Sequence, residues 1–265
     1  MRFLTAITAI ALAPGLCNAQ SPGTGALPLN DFSTDSLDRQ DREYFIADGD
    51  TIFWAFIPIV DIPHTGPLTA ADFREVAGQL GVEAAAIRAV VEVETGNTRS
   101  GFHSDGRPLV NFDLAVFRRA ARRRGIDVAR AAREHPEVFS PPDDARYGNR
   151  QAAQHARLAA AMRIDSIAAM ESTFWGMFQI GGFNWRLAGA DSRSDFIDKV
   201  SRSEYDQLLL FANFIRNTGL LPYLKNKNWS AFARLYNGPA YAARRYHTRM
   251  AQAYRRFKAE EEQEE

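Results

Sequence analysis

The sequence predicts a mainly α-helical protein with one small β element, and three observations lead there. From Leu68 onward, apolar residues recur at helical spacing almost to the C-terminus. Capping residues and glycines punctuate that pattern at helix length. A single tight-turn signal, Asp105-Gly106, lies near its front, where both positions tolerate positive φ.

The elements follow in chain order. Residues 1–19 read as an export signal, with Arg2 as the basic start, Phe3 to Leu12 as the apolar stretch and Cys17-Asn18-Ala19 as the cleavage site. That apolar run is too short for a membrane span of about 20 residues, so stable membrane insertion is not expected. Residues 20–67, rich in Ser, Pro, Gly and Asp, read as a linker or N-terminal arm. Within them, Ile52 to Val60 is an apolar run broken by Pro58, suited to an edge strand or to an exposed contact patch.

The folded domain spans 68–258. Thr69, with Asp72 three residues on, opens a helix as an approximate capping box, and Gly81 closes it. A second helix runs from about Glu83 to Thr95 and stops at Gly96. Gly101 to Phe112 reads as a small hairpin turning at Asp105-Gly106. Helices are predicted over residues 113–124, 127–135, 149–163, 165–172, 194–216 and 239–260, with a loop where Pro136, Pro141 and Pro142 cluster. Residues 259–265 are an acidic tail, read as a frayed terminus; the basic stretch Arg118 to Arg124 reads as a solvated helix face.

Composition excludes several functions. The chain of 265 residues carries 32 basic and 32 acidic side chains, a balance unlike that of a nucleic-acid binder. Its single cysteine, Cys17, would leave with the signal, so thiol catalysis and internal disulfides are not expected. The five histidines are scattered without the spacing of a zinc helix, so no metal is expected. No glycine-rich phosphate loop with a lysine is present. Ser172 lacks the Gly-x-Ser-x-Gly elbow of a serine hydrolase.

The chemistry concentrates at the end of the second helix. Glu94 follows Ile87 by seven residues, Val90 by four and Val91 by three, which puts it on their apolar stripe. Glu92 lies about 200° around the helix, four residues after Arg88, where an exposed ion pair is natural. Desolvation and the negative end of the helix dipole both raise the pKa of Glu94. A carboxyl kept protonated near neutral pH is what protonation of a glycosidic oxygen needs. The bland alternative is a partly buried glutamate tied to a backbone amide or an arginine.

Two later segments carry further candidates. Glu171 to Phe183 contains Trp175, Phe178 and Gln179, a sugar-stacking plane and an amide among glycines that permit close backbone approach. Glu171 either holds that loop or is exposed. Ala233 to Tyr241 contains Tyr236 and Asn237 where one helix ends and another opens on Pro239. Either segment alone is equally well explained as core plus turn.

In order, Val93-Glu94-Thr95-Gly96, Trp175-Gly176-Met177-Phe178-Gln179-Ile180 and Tyr236-Asn237-Gly238-Pro239-Ala240-Tyr241 resemble the lysozyme-like superfamily. More closely, they resemble the peptidoglycan N-acetylmuramidase domain of phage endolysins and bacterial proteins. The resemblance runs from about Leu68 to Phe257 and takes in Asp105 to Pro108 and Phe112 to Phe117. It implies an α+β lysozyme-like fold, no metal or other cofactor, Glu94 as general acid, and peptidoglycan glycan strands as the partner. Trp175, Gln179, Tyr236 and Asn237 would line the substrate groove, with Asp105 or Asp113 as a second carboxylate. Asp105 is equally the turn residue its Asp-Gly pair requires, and Asp113 equally a helix cap. The sequence departs from the family pattern at Thr95 and Phe174, where serines are usual. Its Phe112-Asp113-Leu114-Ala115 replaces a Phe-Glu-x-His stretch. The reaction implied is hydrolysis of the β-1,4 bond between N-acetylmuramic acid and N-acetylglucosamine. Lytic transglycosylation and a non-catalytic wall-binding module are the alternatives. An export signal with such a substrate implies a periplasmic or secreted protein.

Overall fold

A computed structural model describes residues 66–96, 100–140 and 150–264, together with the backbone of 42–48 and 51–57. The expected export signal, most of the arm, and Pro141 and Pro142 lie outside the described residues. No helix among the described residues is long and apolar enough to cross a membrane.

The stretch read as an arm contains an antiparallel strand pair, β1 (Arg42–Asp48) and β2 (Thr51–Ile57), with Phe45 opposite Trp54. Helix α1 (Ala70–Leu80) starts as expected. Thr69 Oγ1 accepts from the Asp72 N–H, and Asp72 accepts from the Thr69 N–H at 2.7 Å, a complete capping box. Gly81, at φ 65°, ends it in the left-handed conformation that costs glycine little.

Helix α2 (Ala84–Thr95) is the centre of the molecule. Ala85, Ile87, Ala89 and Val90 are fully buried. Each buried Val or Ile contributes about 1.5–3 kcal/mol, and the alanines let neighbouring helices approach closely. The C-terminal helix α12 (Tyr246–Glu264) lies along α2, and α1 packs against it from another side.

Charge fastens α12 to α2. Arg88 pairs with Glu260 at 2.9 Å and Glu261 at 3.7 Å, and its guanidinium sits 4.1 Å from the centre of the Phe257 ring. Glu92 pairs with Arg256. The Arg88–Glu92 pair expected along one helix is thus exchanged for pairs between helices. The acidic tail is likewise corrected: residues 259–264 continue α12 as helix because Arg88 receives their carboxylates.

The β element is more dispersed than a hairpin. The Asp105-Gly106 turn does close, with Gly106 at φ 80° and Phe102 bridged to Pro108. The chain then enters β3 (Val110–Phe112), which pairs antiparallel with β4 (Thr173–Trp175), and β4 pairs with β5 (Ile180–Gly181). The Trp-Gly segment is therefore a strand and turn built onto the hairpin.

Around this sheet run α3 (Leu114–Arg123), α4 (Val128–Glu134), α5 (Pro136–Phe139), α6 (Arg150–Ile164) and α7 (Ser166–Glu171). Pro136 begins α5 instead of a loop, because at the first helical position proline's missing N–H costs nothing. The helix expected over 194–216 is two, α8 (Arg193–Arg202) and α9 (Glu204–Asn217). They break at Ser203, extended at φ −158°, whose hydroxyl accepts from the Asp206 N–H at 3.0 Å. Two more helices, α10 (Leu221–Lys225) and α11 (Trp229–Asn237), and a 3-10 turn (Pro239–Tyr241) lead into α12.

Candidate active site

Glu94 stands in the last turn of α2. Gly96 ends that turn at φ 61° with its N–H on the Glu92 carbonyl, while Thr95 Oγ1 donates to the Val91 carbonyl at 2.8 Å. The Glu94 side chain leaves the apolar stripe half-buried, beside the C-terminus of α11. There Asn237, only 3% exposed, donates Nδ2–H to Glu94 Oε1 at 2.7 Å. Burial pushes the Glu94 carboxyl up to about 7; the Asn237 hydrogen bond and the positive charge of Arg249 hold it from rising further. A merely structural glutamate is expected to be tied to a backbone amide or an arginine; the donor here is instead the side-chain amide of Asn237. It does not cancel the desolvation.

Tyr236 precedes Asn237 and closes the other side. Its hydroxyl donates to the Phe178 carbonyl at 2.7 Å, and its ring stacks on Phe232 at 5.5 Å. Burial first, then the charge of Glu94, raise this phenol well above its ordinary value, so it stays a neutral donor. One bond from α11 thus reaches Glu94 and another reaches the Trp-Gly turn. Gln179 sits in that turn at φ 50°, a strained setting for a residue with a Cβ. Its Nε2 donates to the Gly176 carbonyl at 2.9 Å.

Trp175 is a correction. Its ring is 1% exposed and its indole N–H donates to the Met170 carbonyl at 3.1 Å, so it is core and offers no stacking face. Phe178 is equally buried and stacks on Phe211 at 4.2 Å. What the motif supplies is a tightly fixed backbone turn. Gly182 shows how tight: a Cβ there would stand 2.1 Å from the Met170 carbonyl oxygen.

Both candidate second carboxylates are engaged in local structure. Asp105 is drawn upward by partial burial, but hydrogen bonds from the Arg107 side chain and backbone and from His103 outweigh this and hold it well below the usual range. Its Oδ2 lies 2.7 Å from Arg107 Nη2. Asp113 caps α3, accepting from the Val116 N–H at 2.9 Å. Both take the structural role weighed against the catalytic one. Glu171 holds its loop, through an ion pair with Arg193 at 2.9 Å.

Four residues of the site neighbourhood escaped sequence reading. Glu204, 6% exposed, accepts from Ser100 Oγ and the Gly101 N–H, both at 2.8 Å. Gln207, 2% exposed, accepts from the Met177 N–H at 2.6 Å and donates to the Val200 carbonyl at 2.8 Å. These two fix the loop after α2 and the Trp-Gly turn to the same helix. The signal was present: both stand on the apolar stripe of α9 with Leu208 and Phe211. Tyr246 and Arg249 of α12 complete the surroundings, with Arg249 Nη2 donating to the Val93 carbonyl at 3.5 Å.

The raised pKa of Glu94 carries a stability signature of definite sign. Between about 4.5 and 7 the folded chain keeps a proton that the unfolded chain releases, so this group costs stability as pH rises. Glu94→Gln is therefore expected to stabilise the fold by up to about 3 kcal/mol above pH 7, at 1.36 kcal/mol per pKa unit. The gain should vanish below pH 4.5. Urea unfolding of both proteins at pH 8 and pH 4 checks this, and an equal difference at the two pH values would mean a solvated carboxyl.

The family model for N-acetylmuramidase matches residues 83–258, which includes Glu94, the Trp-Gly turn and Asn237. Among solved structures, the chain is similar to the endolysin of the Burkholderia phage AP3. The two share 36% identity at a TM-score of 0.63, over 74% of this chain and 72% of the endolysin. No curated protein matches the sequence.

Proposed function

The chain belongs to the N-acetylmuramidase family of peptidoglycan-degrading glycoside hydrolases, and from that premise we propose that it hydrolyses the β-1,4 bond between N-acetylmuramic acid and N-acetylglucosamine. Glu94 is the general acid. The observation that carries this role is the half-buried carboxyl held at 2.7 Å by a buried amide, with its pKa lifted to about 7. Protonated, Glu94 delivers its proton to the glycosidic oxygen as the bond to the anomeric carbon breaks. Asn237 and Tyr236 hold the acid and the facing turn in fixed relation, which keeps the proton aimed. Gln179 offers a polar contact at the rim. The similarity to a phage endolysin supports a wall-lytic role, and a substrate outside the cytoplasm fits the export signal expected at residues 1–19.

A second reading has a specific observation in its favour. With Asp105 bound to Arg107 and Asp113 capping α3, Glu94 has no second carboxylate among those two. Lytic transglycosylation needs only one acid, because the muramic acid's own 6-hydroxyl closes on the anomeric carbon. Mass spectrometry of digested sacculi separates the two. Hydrolysis is expected to leave reducing muramic acid ends, and anhydro ends would overturn it. The same acid sets the pH profile: kcat/KM should fall about tenfold per pH unit above about 7, as Glu94 ionises.

A further inference from the structure

The amide of Asn237, at the end of α11, meets Glu94 with one of its two polar atoms and nothing with the other. Nδ2–H donates to Glu94 Oε1 at 2.7 Å, while Oδ1 is sealed from solvent without a partner among the described residues. Asn237 is 3% exposed, so Oδ1 has given up water and gained no bond, which buried polar atoms rarely do. Turning the amide over would only put Nδ2 in the same empty place. The carboxyl is also used on one side alone. Glu94 Oε2 has no hydrogen-bond partner among the described residues and, unlike Asn237 Oδ1, is not sealed from solvent. The other neighbours leave the carboxyl oxygens to Asn237. Tyr236 spends its hydroxyl proton on the Phe178 carbonyl, and Tyr246 is hydrogen-bonded to Arg244. Arg249 turns Nη2 to the Val93 carbonyl and acts on Glu94 through charge.

An N–H and an O–H do not both point into one contact of 2.7 Å. While Nδ2 faces Oε1, a proton on Glu94 has only Oε2 to occupy. We infer that Asn237 is a positioning residue that selects Oε2 as the proton-bearing oxygen of Glu94, by keeping a donor against Oε1. Its consequence for catalysis rests on the muramidase reading. A proton on the oxygen without a partner is free to move to a glycosidic oxygen, whereas one lodged between Oε1 and an acceptor is held back. A hydroxyl in place of the amide would not make the selection, since it donates or accepts equally well. The same N–H stabilises the carboxylate that remains once the proton has left, so it favours release as well as placement. The partnerless Oδ1 is what the fold gives up to hold a donor there.

Two variants test the selection by the order of their losses. Asn237→Asp keeps the shape but replaces the donor with an acceptor, so the two carboxyls share one proton across the Oε1 contact. Near pH 6 it is expected to lose about 10²-fold or more in kcat, although an acid remains protonated. Asn237→Leu removes the donor without supplying an acceptor, leaving the proton on either oxygen, and should lose less than about tenfold. Both losses belong in kcat, with KM within about twofold, because the proton moves only as the bond breaks. In Asn237→Leu the alkaline limb should also move above about 7, since the carboxylate has lost its hydrogen bond. A merely structural amide predicts the reverse order, with the isosteric Asn237→Asp the milder change and the limb unmoved. Either result would overturn the selection. Neutron diffraction of the native protein at pH 5, where Glu94 is protonated, reads the same point without turnover or substitution. A deuteron on Oε2 with Nδ2 facing Oε1 is expected, and a deuteron between Oε1 and the Asn237 oxygen overturns it. A protein with its deuteron on Oε2 that cleaves no glycan would leave the selection standing and remove the muramidase reading alone.

Discussion

Glu94→Gln is expected to lose at least about 10²-fold, and up to about 10⁴-fold, of lytic activity on purified sacculi while remaining folded. Glutamine keeps the size of the side chain and still has a carbonyl oxygen for Asn237 Nδ2, so the contact at 2.7 Å survives. What disappears is the transferable proton. The loss belongs in kcat, because the proton moves only as the glycosidic bond breaks. Glu92→Gln is the matched control. It stands two residues away, pairs with Arg256 across α12, and is worth no more than a partly exposed ion pair, about 0–1 kcal/mol. Its activity should stay near that of the native protein. Equal activity in the two variants would remove Glu94 from the chemistry.

The same substitution is expected to raise stability above pH 7, so the two effects run in opposite directions. That opposition separates a catalytic carboxyl from a structural one. A glutamate with an ordinary carboxylate pKa would gain no stability above pH 7 on replacement, since glutamine keeps the hydrogen bond from Asn237. One whose pKa is raised by burial gains it, because the replacement removes a poorly solvated charge that the fold carries above pH 7.

How much of this was legible follows from where each signal resides. The capping box at Thr69 and the phase of Glu94 on α2 are local, set by residues within two helical turns, and both were readable. The direction of a strand's partner is not local. Val110 to Phe112 looked like half of a hairpin, yet its partner lies over 60 residues on, at Thr173 to Trp175. Trp175 was read as a stacking surface because an aromatic beside glycine suits either role. Burial under the sheet decided for core. The acidic tail looked frayed because its partner, Arg88, is far off in sequence. Ser203 is different. With Asp206 three residues on, it carries a readable helix start, obscured by apolar periodicity that continues across the break.

Gln207 is the residue that local reading could least explain and whose loss is expected to cost most in stability. It sits 2% exposed on α9, with Gly101 and Gly176 closed against its carboxamide. A Cβ on Gly101 would come within 2.1 Å of its Oε1, so both backbones approach this side chain because they have no side chains of their own. Gln207→Met keeps the length and removes both polar atoms. It leaves the Met177 N–H without the acceptor it has at 2.6 Å, and the Val200 carbonyl without the donor at 2.8 Å. A buried polar group stripped of its partner costs about 1–3 kcal/mol, so the pair should cost about 3 kcal/mol or more. For a chain of this size that lowers Tm by roughly 6–12 °C. Gln79→Met, on the exposed face of α1, should move stability by no more than about 0.5 kcal/mol. The effect on activity follows from the same bond. Met177 begins the turn that carries the Phe178 carbonyl, to which Tyr236 is bonded, and the strained Gln179 beyond it. Freed from Gln207, that turn relaxes, and kcat should fall several-fold at temperatures where the variant is still folded, with the alkaline limb near pH 7 unchanged because Glu94 keeps its own surroundings. Calorimetry and a pH series on the same protein read both outcomes. A stable Gln207→Met protein would mean that the turn is held by its strand pairing alone.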